Sequence, residues 1–215
     1  MTELRKFGHS CVRFDDGDRA LVIDPGSRGF ADATAALDGA NAVLITHQHA
    51  DHLDVELVRA AAQADPRLRI WAPAPVVELL GDLGEQVVAV GPDGSFDAAG
   101  FRVRTYGGQH ALIHPLVPIV ANLGYLVDGT VYHPGDSLVV PSDPVRVLLL
   151  PAMAPWARLA ELTDFAVAVR APRALPIHDG MVKPELYGGI LQMTLAPIAA
   201  RYEVEFTNWD GPVTV

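Results

Sequence analysis

The stretch Ala42-Val43-Leu44-Ile45-Thr46-His47-Gln48-His49-Ala50-Asp51-His52-Leu53-Asp54 decides how the rest of this 215-residue chain is read. Its first four residues form a continuous apolar run of strand length, and from Val55 to Ala64 the apolar residues recur at helical spacing until Pro66 ends them. Between strand and helix lie three of the chain's eight histidines. Side chains there are carried by rigid elements. His47 and His49 are two apart, so in an extended segment both imidazoles project the same way and can share one ion. Asp51 and His52 are adjacent where the chain turns, point apart, and suit a second ion about 3.5 to 4 Å from the first. Imidazole and carboxylate suit Zn, Mn or Fe, so the pattern leaves the metal open. The competing reading, a polar cap that solvates a helix start, does not account for so dense a cluster.

Two ions need more ligands, and the sequence offers them at later strand ends. His110 follows the strand Phe101–Tyr106 through Gly107-Gly108, a flexible approach to a crowded site. Asp136 lies in His133-Pro134-Gly135-Asp136-Ser137, where Pro-Gly makes a tight turn that aims its carboxylate, and His178 ends a short strand 174–177. This assigns His47, His49 and His110 to one ion, Asp51, His52 and His178 to the other, and Asp136 to both. Taken singly, His178 also reads as a core histidine and Asp136 as a turn residue. His9 and Asp24 are expected to back the ligands or touch substrate, because metal-bound imidazoles usually donate their other N–H to a carboxylate or carbonyl. His114 is the rival to His110, and Lys183 is a candidate contact for an anionic substrate. His133 reads as packing, and Cys11 as a buried inert thiol.

The remaining pattern gives strands first and then strands alternating with helices in each half. Strands are expected at 4–7, 11–14, 20–23, 68–71, 86–90, 101–106, 145–150 and 203–206, with a hairpin around Asp128-Gly129. Helices are expected near 76–80, 159–169 and 190–200, and 107–121 reads as a loop. That order suggests an α/β protein with two sheets and helices outside. With no compositional break and no repeat, residues 1–215 read as a single domain.

Composition narrows the function. Sixteen Lys and Arg against 26 Asp and Glu give a net charge of −10, which argues against nucleic-acid binding. The longest apolar run, Val147 to Ala157, contains two prolines and falls short of the roughly 20 residues of a membrane span. The charged opening MTELRK does not read as a secretory signal, so a cytoplasmic protein is expected. One cysteine excludes an internal disulfide and any multi-cysteine metal site.

Together, His47-x-His49-x-Asp51-His52, the later His110, Asp136 and His178 in that order, Gly8-His9-Ser10, Leu21-Val22-Ile23-Asp24-Pro25-Gly26 and Val131-Tyr132-His133-Pro134-Gly135-Asp136-Ser137 resemble the metallo-β-lactamase superfamily. Within it the chain looks most like small bacterial metal-dependent hydrolases related to ascorbate-6-phosphate lactonase. The resemblance implies an αββα sandwich and a cytoplasmic hydrolase with two divalent metal ions, zinc foremost and manganese or iron as alternatives. In that reading Asp51 and Asp136 are catalytic, and a hydroxide activated by the two ions attacks a small ester, lactone or phosphoester. The substrate is expected to be anionic or to form an oxyanion, and no nucleic acid or membrane is expected; an oligomer is open. Two other functions stand beside it: a mononuclear iron redox enzyme of the sulfur-dioxygenase kind, and a non-catalytic metal or ligand binder.

Overall fold

The computed structural model of the chain describes every residue except Arg28, and every side chain except those of Arg28, Pro184 and Glu185. The first half runs β1 (Glu3–Lys6), β2 (Val12–Asp16), β3 (Arg19–Ile23), α1 (Ala33–Leu37), β4 (Ala42–Leu44), α2 (Val55–Ala64), β5 (Arg69–Ala72), α3 (Ala74–Leu79) and β6 (Val87–Ala89). The second runs β7 (Ser95–Ala98), β8 (Phe101–Gly107), β9 (Leu123–Val127), β10 (Val131–His133), β11 (Val147–Pro151), α4 (Leu159–Val169), β12 (Arg173–Ile177), α5 (Pro184–Thr194), α6 (Ala196–Ala199), β13 (Glu205–Phe206) and β14 (Val213–Thr214).

These strands form two seven-stranded sheets, ordered β14-β1-β2-β3-β4-β5-β6 and β13-β12-β11-β10-β9-β8-β7. Strand alternation assigns each side chain to a layer. Leu21, Ile23, Leu44, Tyr125, Leu149, Leu175 and Ile177 belong to an apolar layer drawn from both sheets. Their neighbours Val22, Val43 and Ile70 pack under Leu37, Val58 and Val76 of the first set of helices. Leu148, Leu150 and Ala174 do the same under Leu162, Phe165 and Leu191 of the second. Both faces of each sheet are therefore covered, which is why β4 and β11 read as continuous apolar runs. The fold is the αββα sandwich.

In each sheet the parallel strands, β3 to β6 and β10 to β13, end on the same side. Ligands of open α/β sheets bind beyond the carboxyl ends of such strands, and Asp24, Thr46, His47, Asp136 and His178 all follow those ends.

Helix α1 was not expected, and four further elements differ from the sequence expectation. The helix expected over 190–200 begins at Pro184, which suits a first helical turn, and is divided at Leu195 before a second helix opens on Ala196-Pro197. The closing strand is only Glu205–Phe206, because Glu203 takes a left-handed conformation (φ 62°) at the end of a 3₁₀ turn. Strands β7 and β14 were not legible; they are short and are strands only because β8 and β1 supply hydrogen-bond partners. The Asp128-Gly129 hairpin is present, with both residues at positive φ inside a turn closed by the Thr130 N–H on the Val127 carbonyl; the register sets Val127 opposite Val131, so three residues connect the strands.

Candidate metal centre

Loops at the strand ends bring the seven expected ligands together. Among the described residues three groups place their donor atoms within 4.8 Å of one another: His47, His49 and His110; His47, His52 and Asp136; and His9, Asp51, His52 and His178. Asp136 lies between the sets. Its Oδ1 is 3.1 Å from His52 Nε2, and its Oδ2 is 3.3 Å from His110 Nε2 and 3.1 Å from His178 Nε2.

Hydrogen bonds behind the histidines fix which nitrogen faces inward. Carbonyl and carboxylate oxygens can only accept, so His110 Nδ1 donates to the Ala111 carbonyl (2.6 Å), His178 Nδ1 to the Met153 carbonyl (2.6 Å) and His52 Nδ1 to Asp24 Oδ2 (2.6 Å). Thr46 Oγ1 gives its own proton to Asp24 Oδ2 (2.7 Å) and therefore accepts from His47 Nδ1 (2.9 Å). In all four rings Nδ1 makes the backing bond and Nε2 faces the centre, so each neutral imidazole offers its Nε2 lone pair there, the form a metal requires. His49 presents Nδ1, 3.0 Å from His47 Nε2. That is close to the roughly 3.3 Å between neighbouring nitrogens at 2.0–2.1 Å from one tetrahedral ion.

Buried donor atoms of the centre show how well a cation fits. His52 Nε2, His178 Nε2 and Asp136 Oδ1 are buried and make no hydrogen bond. Buried polar atoms are nearly always paired, and these three converge. The fourth such atom among the described residues is Ser10 Oγ. The donor set thus fits two divalent cations, with two carboxylates and five imidazoles to hold them.

The local backbone is shaped for this purpose. Gly135 takes φ 61°, and a Cβ on it would lie 2.3 Å from Asn122 Oδ1 and 2.7 Å from Thr46 Cβ. Asn122 clamps the same turn, donating to the Pro134 carbonyl (2.9 Å) and accepting from the Asp136 N–H (3.0 Å). Trp156 Nε1 donates to Asp136 Oδ2 at 2.9 Å. His9, Asp24 and His178 all occupy the left-handed region, at φ 42°, 53° and 62°. Such backbone strain in non-glycine residues gathers at functional sites.

Electrostatics agree with the geometry. Burial and the neighbouring His52 push His47 well below its ordinary value, keeping it neutral. Burial opposes charge on His178, but Asp136 and Asp51 outweigh it and raise the group to about 9. Asp136 is likewise held well below the carboxylate range despite its burial, by His52, His110 and His178.

The remaining expectations separate clearly. Asp24, fully buried, accepts from the Thr46 N–H and hydroxyl and from His52. His9 Nε2 lies 3.1 Å from Asp51 Oδ2. His114 does not reach the centre: it is exposed on the 107–121 loop, where Nδ1 accepts the Leu116 N–H, because Pro115 turns the chain outward there. Lys183 is exposed at the start of α5 and is not part of the centre, since the turn after His178 carries it away. His133 accepts the Gly135 N–H at Nδ1 and donates to the Ser10 carbonyl, so it has no lone pair to offer. Burial raises the Cys11 thiol far above its ordinary value, as expected of an inert cysteine.

Thr46, Asn122 and Trp156 were missed as parts of the centre. Thr46 left a signal, a polar residue closing an apolar strand immediately before His47; Asn122 left none. Trp156, at the end of an apolar run, left no signal of its contact with Asp136. No helix is long and apolar enough to cross a membrane among the described residues.

Comparison with known proteins agrees with the fold. The family model described as Beta-lactamase superfamily domain matches residues 3–178. Protein Rv0786c of Mycobacterium tuberculosis (strain ATCC 25618 / H37Rv) is 38% identical over 201 residues, covering 89% of this chain and 92% of that protein. A UPF0173 metal-dependent hydrolase of Xanthobacter autotrophicus (strain ATCC BAA-1158 / Py2) is 32% identical over 148 residues, covering 61% of this chain and 60% of that one. Igni18, a metallo hydrolase from the archaeon Ignicoccus hospitalis KIN4/I, shares the fold, with a TM-score of 0.69 at 19% identity over 100% of this chain and 98% of its own.

Proposed function

The chain belongs to the β-lactamase superfamily, and from that premise we propose that it is a metal-dependent hydrolase holding two divalent cations and acting on a small ester, lactone or phosphoester. One observation carries the reading: four buried imidazoles are each locked by an Nδ1–H bond so that Nε2 faces the same space, where Asp51 and Asp136 also converge. Histidines placed merely for packing have no reason to share one polarity.

When bound, a pair of divalent cations polarises a carbonyl or phosphoryl oxygen and makes water acidic enough to supply a nucleophile near neutral pH. His47, His49 and His110 would hold one cation, Asp51, His52 and His178 the other, with Asp136 shared. Two carboxylates against four positive charges leave the centre cationic, which favours an anionic substrate or one that develops an oxyanion. Asp51 is the one partly exposed carboxylate among the seven, with a side-chain exposure of 21%, and can meet both water and substrate. Its carboxyl stays ionised: burial opposes this, but His178, His9 and His52 around it prevail. In this reading Asp51 would take the proton of the attacking water and hand it to the leaving oxygen. Asp136, fixed by the Trp156 N–H on its carboxylate and by Asn122 on its own N–H, keeps its position.

Elemental mass spectrometry on protein purified without chelator tests the reading, alongside His110→Ala and His178→Ala. Two zinc or manganese ions per chain, falling in both variants together with turnover of ester, lactone or phosphodiester probes, is the expected result. One iron per chain that survives His178→Ala would replace the hydrolase with an iron redox enzyme.

A further inference from the structure

Resting on that two-cation reading, we infer that His9 is the positioning residue of the cation held by Asp51, His52 and His178, acting as an N–H donor to Asp51 rather than as a ligand. Distance alone allows the opposite, because His9 falls within 4.8 Å of the other three donor atoms. The hydrogen bonds decide. The Gly180 N–H, which can only donate, points at His9 Nδ1 at 3.0 Å. Nδ1 must therefore be the unprotonated nitrogen, and the ring proton of the neutral imidazole sits on Nε2. Nε2 faces Asp51 Oδ2 at 3.1 Å, and a nitrogen bearing that proton has no lone pair for a metal. His9 thus has the reverse polarity of His52 and His178 beside it.

The same residue ties together ligands that come from different sheets. Asp51 follows β4 of the first sheet, whereas His178 follows β12 of the second. The His178 N–H donates to the His9 carbonyl at 2.9 Å, and the two rings lie 4.0 Å apart between centroids. A Cβ on Gly180 would come within 3.1 Å of His9 Cβ and Nδ1, so this turn is fitted closely to the ring. His47, His49 and His110 make no such bond to His9. Loss of His9 should therefore weaken one cation and spare the other.

The experiment titrates zinc into metal-free wild-type protein, His9→Asn and His9→Gln by calorimetry. Asparagine tolerates the left-handed backbone at φ 42° and can accept the Gly180 N–H, but is too short to reach Asp51. Glutamine restores the reach. We expect two zinc ions in the wild type, one of them weakened roughly 10- to 100-fold in His9→Asn, and recovery to within a few-fold in His9→Gln. The tight ion left in His9→Asn should disappear when His49→Ala is added. Long-range nitrogen–proton NMR of the metal-free wild type reads the tautomer without any variant, so the inference remains decidable should His9→Asn fail to fold. It should show the His9 proton on Nε2. A proton on Nδ1, unchanged affinity for both ions in His9→Asn, equal weakening of both, or no recovery in His9→Gln would each overturn the assignment. If the wild type binds fewer than two zinc ions, the two-cation reading itself fails and this inference with it; if it binds two and His9→Asn also binds two equally well, only the role of His9 fails.

Discussion

Asp24→Asn is the sharpest test of how the centre is built, because it changes one buried atom and little else. Asp24 Oδ1 accepts the Thr46 N–H at 2.7 Å, and Oδ2 accepts both the Thr46 hydroxyl at 2.7 Å and His52 Nδ1 at 2.6 Å. Asparagine is well suited to the left-handed backbone at φ 53°, so the substitution adds no backbone strain. With the amide NH₂ in place of Oδ2, two donors face a third. Thr46 can rotate and accept, but His52 must then move its proton from Nδ1 to Nε2 and lose the lone pair that faces the cations. The flipped amide puts its NH₂ against the Thr46 N–H, which cannot rotate. Hydrogen bonds to a charged group are worth about 1.5–3 kcal/mol each, and loss of a ligand's backing partner typically costs 10- to 100-fold in metal affinity, or about 1.4–2.7 kcal/mol. We expect Asp24→Asn to bind the His52-side ion at least 10-fold more weakly and to melt lower in its metal-free form. Zinc competition against a chromophoric chelator, with histidine tautomers read by nitrogen–proton NMR, makes the measurement. Wild-type affinity for both ions, with the His52 proton still on Nδ1, would refute the reasoning.

Gly135→Ala forces a Cβ into Asn122 and Thr46 at a φ that alanine disfavours, and should destabilise the protein by about 3 kcal/mol, seen in urea unfolding, while lowering metal content through Asp136; an unchanged midpoint would show that the turn can yield. Metal-free protein should lose stability between about pH 7.5 and about 9. His178 has a folded pKa raised to about 9 against 6.5 unfolded, so its contribution is complete below 6.5 and is lost as pH rises through 9. His52 shifts in the same direction; the lowered His9, His47, His49 and His133 oppose it around pH 6.5, where the unfolded imidazoles are half protonated, but above about pH 7.5 they are neutral in both states. Melting in chelator at pH 7.5, 8.0 and 8.5 should show a steady fall, and metal-loaded protein the reverse, since bound imidazoles must be deprotonated. A flat or rising metal-free profile contradicts the paired arrangement of His178.

The sequence by itself determined the layers and the ligand types. Continuous apolar runs in β3, β4, β11 and β12, helical periodicity in α2 and α4 and the Asp128-Gly129 turn are local, because each is read within one element. The cluster from His47 to His52 was legible for the same reason: its residues are neighbours in the chain, and their spacing fixes their directions. His110, Asp136 and His178 were legible as strand-end residues, but their convergence was not, because it depends on how the two sheets face each other. Only the tertiary structure decided the polarity of each imidazole. Asp24 lies 28 residues from His52, and Gly180 lies 171 residues from His9. No periodicity carries information across such distances, so which nitrogen holds the proton is settled by folding alone. The same limit explains β7 and β14, whose few residues have no preference of their own and become strands when a neighbour's edge is present. It explains His114 as well: four residues past His110 it has the right chemistry, but the turn at Pro115 carries it into solvent.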